Sequence, residues 1–283
     1  MKEGKKMKKC LSLLVVCLLV LSGCSSKDKD NDDSIIVGME CNYAPFNWTQ
    51  LDDSNGAVKI SNTQGYCAGY DVEIAKLIAE ELGKTLVIKK VTDFGSLPSE
   101  VNTNQIDLII AGMSPTAERA EAIDFSNPYY YSDLVLVVRK NSTYASAKSL
   151  SDFSGAKVAA QINTLHDDVI DQINGVNHAT ALIDFPTLTV SVKSTDIDAF
   201  VSERPVALAI VGNNPDLTFV SFEDGKGFTL TEEDATGLSV SVGMKKNSDS
   251  LLESVNKVLN NLTDEDRDEL MNKAIANQPE SGE

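Results

Sequence analysis

Chemistry is concentrated in AGMSPTAERAEAIDFSNPYY, residues 111–130. Ser114 or Thr116 can cap a short helix, with Pro115 at a tolerated first-turn position. Free backbone N–H groups at such a helix start point outward and bind anions. Arg119 adds a planar guanidinium fork that matches a carboxylate. The same residues admit a plainer reading, with Ser114 a cap only and Arg119 paired with Glu118 or Glu121 on the surface. The segment by itself leaves both open.

These groups need a sheet to position them. IIVGM (35–39) is strand-like, and GYDVEIAKLIAEELGK (69–84) puts Val72, Ala75, Leu77, Ile78 and Leu82 on one helical face before Gly83 stops it. TLVIKKV (85–91) is a second strand, a polar helical stretch follows, and IDLIIAGM (106–113) is a third. This alternation argues for an α/β fold with a mostly parallel sheet. A second unit repeats the rhythm: after SDLVLVVRK (132–140) come a strand at AKVAAQ (156–161), a helix at LHDDVIDQI (165–173), and another strand at VALAIV (206–211). The chain closes with SVSVGMKK (239–246) and two helical stretches, LLESVNKVLNNL (251–262) and DEDRDELMNKAIAN (264–277). Two α/β lobes joined by more than one crossing are expected. Ligands in open α/β sheets bind beyond the carboxyl ends of the strands, which directs attention to residues 40–46, 114–119 and 162–165.

The first residues read as an export signal. Lys2, Lys5, Lys6, Lys8 and Lys9 precede a run from Leu11 to Leu21 that is apolar apart from Ser12 and too short for a membrane span, and Leu21-Ser22-Gly23-Cys24 follows. Residues 1–23 are therefore expected to be a lipoprotein signal peptide, removed to leave a lipid-modified Cys24. One acyl-bearing cysteine can hold a domain at a membrane surface. SSKDKDNDDS (25–34) lacks apolar residues, and residues 24–34 are expected to form a flexible tether. The full chain carries a formal charge of −17; loss of the first 23 residues, with five Lys and one Glu, leaves −21. Such an acidic chain will not bind nucleic acid through a basic face. Cys41 and Cys67 are the cysteines left in the body of the protein, and export permits a disulfide between them. With His166 and His178 they have no zinc spacing. Both histidines are expected at the surface, outside any cleft. No residue pattern calls for a metal, nucleotide or other cofactor.

The ensemble VGMECNYAPF, GYDVEIAKLIAEELG, IDLIIAGMSPTAERAEAIDFSNPYY and VGMKKN resembles the polar amino-acid-binding proteins of ABC importers, bacterial extracellular solute-binding proteins of family 3, from residue 35 to about 277. The resemblance implies a two-lobed periplasmic-binding-protein-like fold of type II, hinged by two crossover strands and closing on one L-amino acid. It places lobe one at 34–133 and 239–277, lobe two at 134–238, and a disordered tail at 278–283. It implies that Arg119 clamps the ligand α-carboxylate, helped by Ser114 and by N–H groups of Asn163 and Thr164 at a lobe-two helix start. Backbone at Gly112, with Met113 beside it, would accept from the α-ammonium. Tyr43 and Phe94 would sandwich the ligand side chain, and Glu40 would meet its far end. The resemblance also brings Cys67 alongside the strand that Cys41 follows; a disulfide or two separate buried thiols would both fit.

Two departures stand out. The family commonly carries an Asp in lobe two after a strand like VALAIV, where this chain has Val211, with Asn213, Asn214 and Asp216 nearby. It also commonly has Gly where this chain has Ile162 in QINT. The expected function is delivery of an amino acid to a membrane permease, without catalysis, by a monomer lipid-anchored to the cell membrane and facing outside the cytoplasm. Lysine and arginine suit a carboxylate beyond an aromatic sandwich. Glutamine is the alternative, with Glu40 then free to serve the α-ammonium. A dehydratase or deaminase of amino-acid-like substrates is the rival class, and it would need a positioned acid or base. An extracellular sensor domain is a third.

Overall fold

The structure, a computed structural model, describes residues 33–223, 225–230 and 239–279. The expected signal peptide and Cys24 lie outside the described residues, as does the tether up to residue 32; Ser34 already belongs to the first strand.

The chain begins with β1 (Ser34–Met39), β2 (Asn42–Tyr43), β3 (Asn47–Gln50), β4 (Val58–Lys59) and β5 (Tyr66–Ala68), then α1 (Tyr70–Glu81) and β6 (Thr85–Lys90). There follow α2 (Leu97–Asn102), β7 (Leu108–Ile109), α3 (Ala117–Ala122), β8 (Ile123–Tyr131) and β9 (Leu134–Arg139). Next come β10 (Lys157–Ala159), α4 (Leu165–Asp168), β11 (Asn177–His178), α5 (Phe185–Lys193) and β12 (Ala199–Glu203). Last are α6 (Arg204–Asn213), β13 (Leu217–Val220), β14 (Ser239–Lys245), α7 (Asp249–Asn261) and α8 (Asp264–Asn277).

One five-stranded sheet has the order β6-β1-β7-β14-β8, with β1 parallel to β6 and β7 and with β14 antiparallel to β7 and β8. The other has the order β11-β10-β12-β9-β13, parallel at β10 and antiparallel around β9. These are the sheets of the two lobes. The chain passes from the first to the second between β8 and β9 and returns to β14. A four-stranded antiparallel sheet, β2-β3-β5-β4, is appended to the first.

Local chemistry explains the elements next to the cleft. α1 starts at Gly69, whose φ of 127° suits glycine and whose missing Cβ would run into the Phe46 carbonyl. Asp71 and Glu73 in its first turn complement the helix dipole. Val72, Ile74, Ala75, Ile78 and Ala79 face the core, whereas Leu77 is only half-buried. Cys41 and Cys67, on the appended sheet side of β1, are joined by a disulfide with Cα atoms 5.7 Å apart.

Three readings change. VALAIV is not a strand but the middle of α6, entered through Pro205 in its first turn; an apolar run of six cannot by itself distinguish strand from buried helix. The strand is instead β12, drawn from AFVSE. Residues 165–173 break into the four-residue α4 and a separate 3₁₀ turn at Ile170–Gln172. Gln278 and Pro279, expected in a disordered tail, are held against α6, through Gln278 Nε2 to the Ala209 carbonyl at 3.3 Å and Asn213 Nδ2 to the Pro279 carbonyl at 3.1 Å. Residues 280–283 lie outside the described residues.

Candidate functional site

Thr116, not Ser114, caps α3: its Oγ1 accepts from the Arg119 backbone N–H at 3.3 Å. The Arg119 side chain turns into the cleft. Nη1 donates to the Ser114 carbonyl and Nη2 to the Asn163 carbonyl, each at 2.8 Å, and the guanidinium lies 5.1 Å from the centre of the Phe94 ring. It thus bridges the lobes. Burial holds it down at about 10.

One small cavity is lined by Tyr43, Phe94, Gly112, Ser114, Arg119 and Thr164 together with Gln161, Leu165 and His166. Six of the nine sequence-predicted ligand residues are therefore in one place. Asn163 lies on the adjoining groove with Phe94, Arg119 and Thr164. It takes a φ of 62°, which asparagine tolerates, and turns its carbonyl to Arg119. Met113 is fully buried beneath the wall. Thr164 is the residue before α4, and its hydroxyl donates to the Gln161 carbonyl at 2.7 Å.

Glu40, at the end of β1, is reached from lobe two by Gln161, whose Nε2 donates to both carboxylate oxygens at 3.1 and 3.2 Å and to the Ile183 carbonyl at 3.1 Å. Burial pushes Glu40 up to about 7, against the lowering effect of the Gln161 bond. Tyr43 lies between two aromatic rings, Phe46 at 5.3 Å and Phe185 of α5 at 4.8 Å. Its hydroxyl is buried with no hydrogen-bond partner among the described residues.

His166 is not at the surface. It lines the cavity, 7% exposed, with Nε2 3.4 Å from Glu203 Oε1 and its ring edge-on to Phe185. Burial and the nearby Arg119 charge pull it down to about 4, so it is neutral at pH 7. His178 is the partly exposed one, between Asp167 and Asp171 at 3.0 and 2.8 Å. A buried acid of lobe two, Glu203, stands at the end of β12, 5% exposed and eight residues before Val211. Pro205, two residues on, was the signal that VALAIV opens a helix and that the strand ends at this acid. Gln161 and Phe185 were missed because neither carries a spacing that marks it.

Glu203 makes stability depend on pH. Burial raises it from 4.5 to about 8, so between those values the folded state holds a proton that the unfolded state has lost, and stability falls as pH rises. Glu203→Gln is expected to flatten the fall between pH 7 and 8, above the range of Glu40 and Asp71. Thermal melts across pH 5–9 check this, and parallel curves for both proteins would contradict it.

Among the described residues no helix is long and apolar enough to cross a membrane, and no cluster of His, Cys, Asp and Glu could hold a metal ion. Residues 35–277 match the bacterial extracellular solute-binding proteins, family 3. The arginine-binding extracellular protein ArtP of Bacillus subtilis (strain 168) is 27% identical over 268 residues, covering 91% of this chain and 94% of that protein. The glutamine-binding protein GlnH of the same organism is 25% identical, covering 96% and 99%. The crystal structure of the substrate-binding protein AbpA from Streptococcus pneumoniae Canada MDR_19A, bound to L-arginine, superposes with a TM-score of 0.71 at 30% identity, covering 86% of this chain and 95% of that one.

Proposed function

The chain belongs to the bacterial extracellular solute-binding proteins of family 3, and from that premise we propose that it binds a cationic L-amino acid, arginine or lysine, between its lobes and delivers it to an ABC-importer permease. The observation that carries this is the single cavity gathering Arg119, Ser114, Thr164, Tyr43 and Phe94, with buried carboxylates at Glu40 and Glu203 reached through Gln161 and His166. One guanidinium and two carboxylates complement a ligand with one carboxylate and two cations. Arg119 takes the α-carboxylate, Glu203 and the Gly112 carbonyl the α-ammonium, and Glu40 the cationic head, with the side chain between Tyr43 and Phe94. The likeness to ArtP and to arginine-bound AbpA supports arginine; the likeness to GlnH keeps glutamine as the second reading. A bound cation restores both carboxylates to their charged forms.

The protein works by binding and catalyses no reaction: His166 and Glu203 shape the cavity and turn over no substrate. Lobe one comprises 34–133 and 239–277 and lobe two 134–238, a division supported by the passage from β8 to β9. The protein acts as a monomer held at the outer face of the cell membrane by lipid on Cys24. That anchor rests on the sequence before Cys24, and equal release of soluble protein by wild type and Cys24→Ala in cell fractionation would overturn it. Thermal-shift screening against the common L-amino acids tests the ligand class. A ligand at 100 times its dissociation constant adds about 2.7 kcal/mol of stability, and a screen in which arginine, lysine and glutamine all leave the melting temperature unmoved rejects the proposal.

A further inference from the structure

We infer that Tyr129 is a positioning residue for ligand recognition: its phenol, oriented by the buried carboxylate of Asp71, holds the Gly112 backbone at the cavity wall. None of the residues in this relay except Gly112 lines the cavity. The Gly112 N–H donates to the Tyr129 hydroxyl at 3.1 Å, and that hydroxyl donates to Asp71 Oδ1 at 2.7 Å. Asp71 Oδ2 accepts from Asn47 Nδ2, also at 2.7 Å. Tyr129 is itself fixed, because its carbonyl accepts from the Tyr70 hydroxyl at 2.8 Å and it is fully buried in β8. Asp71 is likewise fully buried, in the first turn of α1.

The direction of this chain of hydrogen bonds follows from the chemistry of its ends. A backbone N–H can only donate and a carboxylate can only accept, so the phenol between them has one arrangement that satisfies both. Burial removes water as a substitute partner and makes each missing bond costly. What is being held is unusual backbone. Gly112 has a φ of 62°, and a Cβ there would press into the Tyr43 ring at 2.6 Å from Cε1. The Gly112 peptide is thus gripped on its N–H side by Tyr129 while its neighbour Ser114 gives its carbonyl to Arg119. The relay ties α1, β3 and β8 to that wall, and its effect falls on whichever ligand group meets the Gly112 backbone. In the function proposed above, on which this inference rests, that group is the α-ammonium.

The test separates positioning from mere stability by comparing two ligands. Tyr129→Phe removes one oxygen and keeps the ring; Asp71→Asn keeps an acceptor for the phenol, provided the Asn47 amide turns over. L-Arginine and its deamino analogue 5-guanidinopentanoate are titrated against wild type and both variants, the weaker ligand by competition. Tyr129→Phe is expected to weaken L-arginine about tenfold, in keeping with one lost buried hydrogen bond, and the analogue less than twofold. Asp71→Asn is expected to show the same selectivity at a smaller loss, and it serves alone if Tyr129→Phe does not fold. Equal loss for both ligands, unchanged L-arginine binding, or a wild type indifferent to the α-amino group would each overturn the inference. If wild type instead prefers another amino acid, the arginine reading falls, and the same comparison with that amino acid and its deamino analogue still decides the role of Tyr129.

Discussion

Replacement of Arg119 by alanine is expected to weaken ligand binding by roughly 2–5 kcal/mol, between about 30-fold and several thousandfold. The guanidinium stands where it can serve both lobes at once, between the Ser114 and Asn163 carbonyls and over the Phe94 ring. The Ser114 and Asn163 carbonyls are neutral partners, and burial pulls the guanidinium down to about 10 against the raising effect of the Asp168 and Glu118 charges; a ligand carboxylate would counter the same burial. Truncation would leave that carboxylate enclosed without a partner, which is why the expected loss exceeds that of an exposed ion pair. Arg119→Lys should recover little, because an ammonium cannot form the planar two-pronged contact. Calorimetric titration of folded Arg119→Ala decides the matter, and a loss of less than threefold would remove Arg119 from the carboxylate role.

The second large effect is one of selectivity. Glu40→Gln is expected to cost arginine and lysine about tenfold or more while leaving glutamine nearly unchanged, since an amide can still accept from a ligand amide but cannot neutralise a cation. The pH dependence follows with a defined sign. Glu40 sits at about 7, so in wild type the affinity for arginine should rise with pH through 7 as the carboxyl loses its proton, and this part of the rise should vanish in Glu40→Gln. Glu203 remains in both proteins and cancels in the comparison. Equal loss for every ligand would place Glu40 at the common α-ammonium, and Glu203 would then lose that role.

How much of this could be read beforehand depended on whether a residue's role is written locally. The α8 boundaries, 264–277, are those of the sequence pattern, because Thr263 and Asp266 form a capping box at its start. The strand before Glu40 was equally plain, since an apolar run precedes a polar break and a helix of period 3.6 follows. IDLIIAGM gave its strand too generously: only Leu108 and Ile109 form β7, and the rest of the run is buried loop that delivers Gly112 and Ser114 to the cleft. Arg119 was legible as a candidate because Ser-Pro-Thr announces a helix start. Its actual partners were not, because the Asn163 carbonyl comes from 44 residues away. His166 and Glu203 were hidden for the same reason. A histidine and an acid 37 positions apart carry no spacing signal, and only the pairing of β12 with β9 and β10 brings the end of β12 beside α4. Misreading VALAIV as a strand then moved the search for an acid past Glu203 by several residues.

Selection of a cationic L-amino acid by this cavity is tested by calorimetric titration of the purified wild-type protein with L-arginine, L-lysine, L-glutamine and L-glutamate under one buffer condition. The expected result is one site per chain, tightest for arginine or lysine, weaker for glutamine and without measurable heat of binding for glutamate. Tight binding of glutamate, or binding of glutamine tighter than either cation, would contradict it.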